Sequence, residues 1–246
     1  MKKFIWLCVI FAALVIALPV SGQKKQHDHV TVIETNVSGN GPPILLEVTA
    51  GRAHNHPMMA AWIEDTAGTF LQTLYVNKSV ATGYFSYADS EAGKWKPGPL
   101  VRPASLPVWA HRRGIQSEEG HFMPTRENPV PDAYTSATPE GSFLLKTRPD
   151  EAPAGKLVIF FEINQAFDWN DYWTNARFPG DQDYKSSAQP SVVYSAVIDP
   201  AAKGKAYSLK AIGHGHFSGD NGNLYPDLTT LDTALEILKN ITAKIE

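Results

Sequence analysis

The sequence predicts an all-β fold, an antiparallel β-sandwich with one C-terminal α-helix, on three observations. Short runs rich in β-branched and aromatic residues recur between turn-forming clusters. Two of them, "MMAAWIED" (58–65) and "TFLQTLYVN" (69–77), flank Asp65-Thr66-Ala67-Gly68 at the spacing of a hairpin. Only the last segment changes period. There Leu231, Leu235, Leu238, Ile241 and Ile245 recur every three or four residues, which predicts a helix over about 229–244 with Thr229 or Thr230 as its N-cap.

The remaining elements follow in order. A short strand is expected at 30–35, inside a polar leader over 23–42, and "ILLEVTA" (44–50) opens a single domain spanning 43–246. From 78 to about 141 the strand pattern breaks down. "KWKPGPLVRPASLPVW" places four prolines between 97 and 107, a density that rules out a central strand. An irregular stretch of that length inside a compact domain points to function or to short elements hidden in it. Strands resume at "SFLLKT" (142–147), "KLVIFFEIN" (156–164), "PSVVYSAVI" (190–198) and "AYSLKAIG" (206–213). About seven strands with one helix make a sandwich with the helix beside it.

The N-terminus indicates export. Lys2 and Lys3 precede the apolar run "FIWLCVIFAALVIALPV" and the small residues Ser21 and Gly22, the order of a secretory signal peptide over 1–22. The protein is therefore expected to be periplasmic or secreted, with no membrane insertion once the signal is cut; a retained anchor is the alternative. Cys8 is the only cysteine and lies in the signal, so the mature chain would fold without disulfides. Beyond residue 22 the chain keeps 20 Lys and Arg against 25 Asp and Glu. This mildly acidic balance, without basic clusters, excludes nucleic acid as an expected partner.

The hairpin "HPMMAAWIEDTAGTFLQTLYV" (56–76) resembles the opening hairpin of the domain of unknown function 2271 family, predicted periplasmic proteins. The positions that carry the likeness are Ala60, Trp62, Glu64, Asp65, Gly68, Thr73 and Leu74. Asp132 to Thr138 and then Gly141 to Glu162 are similar, in order, to a later part of the family, so the resemblance covers roughly 44–165. It implies an extracytoplasmic immunoglobulin-like sandwich in the company of membrane redox proteins and flavin transferases, and it implies no particular activity.

Within that region Asp132-Ala133-Tyr134-Thr135-Ser136-Ala137-Thr138 is similar to the acceptor motif of flavin transferases, in which FMN is esterified to the last threonine. Asp132, Thr135, Ala137 and Thr138 match; Ser136 stands where glycine is usual. Glycine allows φ > 0 and close approach of another backbone, so the departure bears on the reading. A threonine acceptor needs an accessible hydroxyl among small residues, and the cofactor then carries the chemistry while the protein positions it. The competing reading is a polar turn, since Ser, Thr, Pro and Gly together are ordinary before a strand.

Copper or zinc is the alternative cofactor. Three His-x-His pairs occur: His27/His29, His54/His56 and His214/His216. On a strand, residues i and i+2 share a face about 6.5–7 Å apart, so both imidazoles can converge on one ion. Met58 and Met59 follow the second pair and Met123 lies near His121; thioether with imidazole favours copper, whereas imidazole alone fits either metal. "GHGHFSGDNG" is the most site-like pair, with Asp220 close in sequence. Arg112 and Arg113 beside His111 offer an anion contact. "AFDWNDYW" offers Asp168, Asp171, Trp169, Tyr172 and Trp173 for a carbohydrate face, although such aromatics more often pack over a sheet edge. No nucleophile elbow or phosphate-binding glycine loop occurs. A cofactor-free interaction module is the third class that stays open.

Overall fold

A computed structural model describes residues 30–91 and 94–246. The segment expected to be an export signal (1–22) and the His27/His29 pair lie outside the described residues. Strands β1 (Thr31–Glu34), β2 (Ile44–Ala50), β3 (Met58–Asp65) and β4 (Phe70–Asn77) come first. Helix α1 (Lys78–Thr82) leads into β5 (Tyr84–Glu91) and β6 (Lys94–Pro99), and α2 (Pro107–Arg113) follows. Then come β7 (Thr135–Ser136), β8 (Phe143–Thr147), β9 (Leu157–Asn164), α3 (Gln182–Ser187) and β10 (Val192–Ile198). The chain closes with β11 (Ala206–Ser208), β12 (Lys210–His214) and β13 (Leu238–Ile245).

Most of these strands form two sheets, ordered β1-β8-β2-β13-β11 and β12-β10-β9-β3-β4-β7. Both are mixed rather than purely antiparallel, because β1 runs parallel to β8 and β4 parallel to β7. The two sheets bury one shared apolar cluster. Leu46, Val48, Phe143, Leu145 and Ile241 come from the first sheet, and Met59, Ala61, Ile63, Ile159, Phe161 and Ile163 from the second. Alternation along β3 and β9 sends their other residues to the opposite face. That face is covered too. Ala60, Trp62 and Val193 pack under Val80, Leu106, Val108 and Trp109, and Trp62 stacks on Phe160 with ring centroids 5.0 Å apart. The stretch after residue 77, expected to be irregular, is therefore the cover for the outer face. Pro97 and Pro99 fall in β6, which pairs only with β5 and needs no second hydrogen-bonded neighbour.

Three expectations are corrected. The fold begins before residue 43, since β1 pairs with β8 and Asn36 Nδ2 donates to the Arg148 carbonyl at 2.7 Å. The run 206–213 is two strands. β11 pairs with β13 in one sheet and β12 with β10 in the other, so the chain changes sheets at Leu209.

The C-terminal helix at about 229–244 is absent. Thr233–Glu236 form one 3₁₀ turn, entered where the Asp232 carboxylate accepts from the Thr233 N–H, and Leu238–Ile245 is a strand against β2. The helical spacing of leucines hid a second period, because Ile241, Ala243 and Ile245 alternate inward and alanine carries little hydrophobic signal. Ala243, which is fully buried, tests this assignment. Ala243→Asp is expected to cost more than about 3 kcal/mol by burying an unpaired charge, whereas Lys244→Asp next to it costs under about 1 kcal/mol, both read by urea unfolding.

Candidate functional site

The segment 132–139 leans on the edge of the second sheet, and nearly every residue in it is tied down. Asp132 Oδ1 faces Lys78 Nζ at 3.6 Å, and Thr135 Oγ1 donates to the Asp132 carbonyl at 3.1 Å. The Ala133 carbonyl accepts from the Asn36 N–H at 2.7 Å. Tyr134 Oη donates to Asp150 Oδ2 at 2.8 Å, and burial together with that carboxylate pushes the phenol up to about 12. Thr135 and Ser136 form β7 beside Val76 and Asn77. Ser136 is not among the residues with positive φ, so the usual glycine has no conformational task at this position.

Thr138 is held from below. Its Oγ1 accepts from Asn77 Nδ2 at 2.8 Å. Asn77 is fully buried, donates also to Tyr75 Oη at 3.2 Å, and accepts from the Met59 N–H. Tyr75 Oη in turn donates to the Ala137 carbonyl at 3.4 Å. The threonine therefore sits on a preformed polar stem rising from the sheet, with its side chain half-buried.

Above the stem opens a cavity of about 670 Å³, within the usual range of small-molecule sites. Ala137 and Thr138 form one wall with Met58 and His56. The β5–β6 ribbon supplies Phe85, Tyr87 and Trp95, and Phe167 closes another side. Tyr87 and Trp95 meet edge to face at 6.4 Å, yet remain 68% and 51% exposed, an unusual degree of exposure for paired aromatics. The charged groups on the walls are Lys78 and Arg102, with no carboxylate among the lining residues. Four non-glycine residues among those described have positive φ, and two of them, His56 and Phe167, line this cavity. Such backbone strain concentrates at binding and catalytic sites.

The His54/His56 pair is divided rather than convergent. His54 Nε2 contacts the Pro139 carbonyl at 3.3 Å, beneath the threonine loop, whereas His56 Nδ1 contacts Asn55 Oδ1 at 3.0 Å on the cavity wall. Met59 is buried in the inter-sheet core, so its thioether does not join them. His214 and His216 do share a face, both packing against Tyr225 at 5.4 and 5.9 Å in a smaller cleft of about 250 Å³. His214 Nδ1 is committed to the Gly215 carbonyl at 2.7 Å, and burial lowers the imidazole pKa. Asp220 lines a different cavity, with His111 and His121. Among the described residues no group of three or more His, Cys, Asp or Glu side chains could hold a metal ion.

The other expected contacts are internal. Arg112 pairs with the buried Glu64 at 3.1 Å, while Arg113 donates to the Phe122 carbonyl and lies over Trp109. Neither lines the Thr138 cavity. Trp169 and Trp173 pack against Tyr184, and Asp168 accepts from Thr233, so the aromatic loop covers the sheet edge. Asn77, Lys78 and Arg102, with the wall aromatics Phe85, Tyr87, Trp95 and Phe167, are the candidate-site residues that sequence reasoning missed. The chain matches no protein-family model, and no curated protein or solved structure matches it.

Proposed function

We propose that the protein is an exported electron carrier, built on an immunoglobulin-like sandwich, that holds FMN through a phosphoester on Thr138. The observation that carries the reading is that Thr138, the last residue of the acceptor-like segment, lies on the wall of an aromatic, cationic cavity of about 670 Å³. The residues present fit the group. Phe85, Tyr87, Trp95 and Phe167 offer faces and edges to a planar ring, and Lys78 and Arg102 offer positive charge to a phosphate. When bound, FMN supplies one- and two-electron transfer.

Attachment requires flavin adenine dinucleotide as donor and a separate flavin transferase as catalyst. Thr138 Oγ attacks the phosphorus nearer the flavin, the Oγ–P bond forms, and the bridging P–O bond breaks to release adenosine monophosphate. The hydroxyl proton passes to a base of the transferase. Within this chain Asn77 orients the hydroxyl, and Lys78, which also faces Asp132, stands where it can meet the incoming phosphate. A membrane redox protein would then exchange electrons with the carrier.

Co-expression with a flavin transferase, followed by intact-mass analysis, tests this reading. One FMN less one water is expected on the wild-type protein and is expected to be lost in Thr138→Ala. Unmodified wild-type protein, under conditions that modify an established acceptor, removes the proposal. Copper or zinc on His214 and His216 is the alternative, with His54 and His56 as further ligands, but His56 lines the Thr138 cavity, His214 and His216 line a separate cleft, and His54 contacts the Pro139 carbonyl beneath the threonine loop. Elemental analysis of purified protein tests that alternative, and a protein with neither flavin nor metal leaves the interaction module.

A further inference from the structure

Arg102 carries more than the flavin reading requires. Its guanidinium stands over Phe85, 5.2 Å from the ring centroid, and both residues line the cavity. Nε and Nη1 are buried and have no hydrogen-bond partner. Among the described residues no carboxylate pairs with it. A guanidinium stays charged in proteins, and a buried charge without a partner is costly unless something external compensates it. Partial burial lowers its pKa. The polypeptide thus holds a half-buried cation beside aromatic walls with two of its donor nitrogens unpaired.

We infer that Arg102 and Phe85 form an anion subsite, so that the cavity reversibly binds planar aromatic ligands carrying a phosphate or carboxylate, with or without a bond to Thr138. The inference rests on the cavity of the flavin reading but not on esterification. Arg102 recognises the anion and the aromatic walls recognise the ring. Lys78 contributes less, because its side chain is 61% exposed and already faces Asp132.

Thr138→Ala protein, which cannot be esterified, separates the two ideas. Titrated with FMN and with riboflavin, which share a ring and differ in the phosphate, it is expected to bind FMN at least tenfold more tightly. Adding Arg102→Gln is expected to abolish that preference, while Lys78→Gln in the same background changes it by less than threefold. Ligand-free Arg102→Gln protein is expected to melt at the same temperature as wild type or higher, because an uncompensated charge has been removed. Loss of binding therefore cannot be put down to unfolding. Equal affinity for FMN and riboflavin, no binding of either, or a preference that survives Arg102→Gln would overturn the inference. A phosphate preference without any adduct on wild-type Thr138 would sink the flavin carrier and leave the subsite standing. An adduct with no role for Arg102 would do the reverse.

Discussion

Glu162→Ala is expected to destabilise the protein by about 3–5 kcal/mol near pH 5, and by about 3 kcal/mol less at pH 8. Glu162 lies on the outer face of β9 and is completely buried. Its Oε2 accepts from the Trp109 N–H at 2.7 Å, and Oε1 from the Val108 N–H at 3.2 Å and Ser191 Oγ at 2.6 Å. Helix α2 has no side-chain cap of its own at Leu106, so this distant carboxylate satisfies two N–H groups of its first turn. Alanine would strand those donors in a dry site and open a cavity.

The pH dependence has a definite sign. Burial pushes the Glu162 carboxyl up to about 7, against three hydrogen bonds that pull it down. A group whose pKa is raised on folding contributes stability that is fully present below its unfolded value. That contribution is lost as pH rises through the folded value. The wild type should therefore lose stability through Glu162 between about pH 4.5 and 7, and the penalty for deleting the side chain should shrink over the same window. Urea unfolding at pH 5 and pH 8 measures both. Glu162→Gln, which keeps the shape and cannot ionise, should remove this part of the pH slope. A Glu162→Ala penalty that is the same at pH 5 and pH 8 would show that the carboxyl is ionised throughout and that its hydrogen bonds outweigh its burial.

Asn77→Ala is expected to cost about 2–4 kcal/mol and to release the loop that carries Thr138. The substitution removes the acceptor of the Met59 N–H on a central strand and the donor to both Tyr75 Oη and Thr138 Oγ1. Backbone groups of β3 that lose a partner cannot recover it from water, since Asn77 is fully buried. Hydrogen exchange should therefore quicken at 137–138 while β2 and β8 stay protected, and the urea midpoint should fall. A variant that unfolds with the wild type, with unchanged exchange at 137–138, would mean that the stem does not hold the threonine.

Some elements were legible in the sequence for a physical reason. "ILLEVTA", "MMAAWIED" and "KLVIFFEIN" became β2, β3 and β9 because a strand buried on one or both faces needs those apolar runs. The unbroken apolar run of β3 is buried on both faces, and the chain after residue 77 supplies the second cover. The last strand was not legible, because Ala243 is too small to mark the inward face while the leucines around it mimic a helical stripe. Nor was the change of sheet at Leu209, which depends on what lies on either side of the chain.

The site divides in the same way. Thr138 was singled out by the resemblance of 132–138 to an acceptor motif, which is a contiguous run and so can be read in sequence. Asn77 ends a strand, its neighbour Lys78 begins a short helix and Arg102 stands alone among prolines, so no spacing linked them to Thr138. Tertiary structure alone brings Lys78 and Arg102 to the Thr138 cavity and Asn77 beneath it. The divided His54/His56 pair teaches the converse, since adjacency in sequence did not bring the imidazoles together.

The most direct measurement of the central claim is the intact mass of wild-type and Thr138→Ala protein, each produced with a flavin transferase and each followed by peptide mapping. A single increment of FMN less water on wild type, localised to Thr138 and missing from the variant, is the predicted result. Unmodified wild-type protein, or an increment that persists in Thr138→Ala, would contradict it.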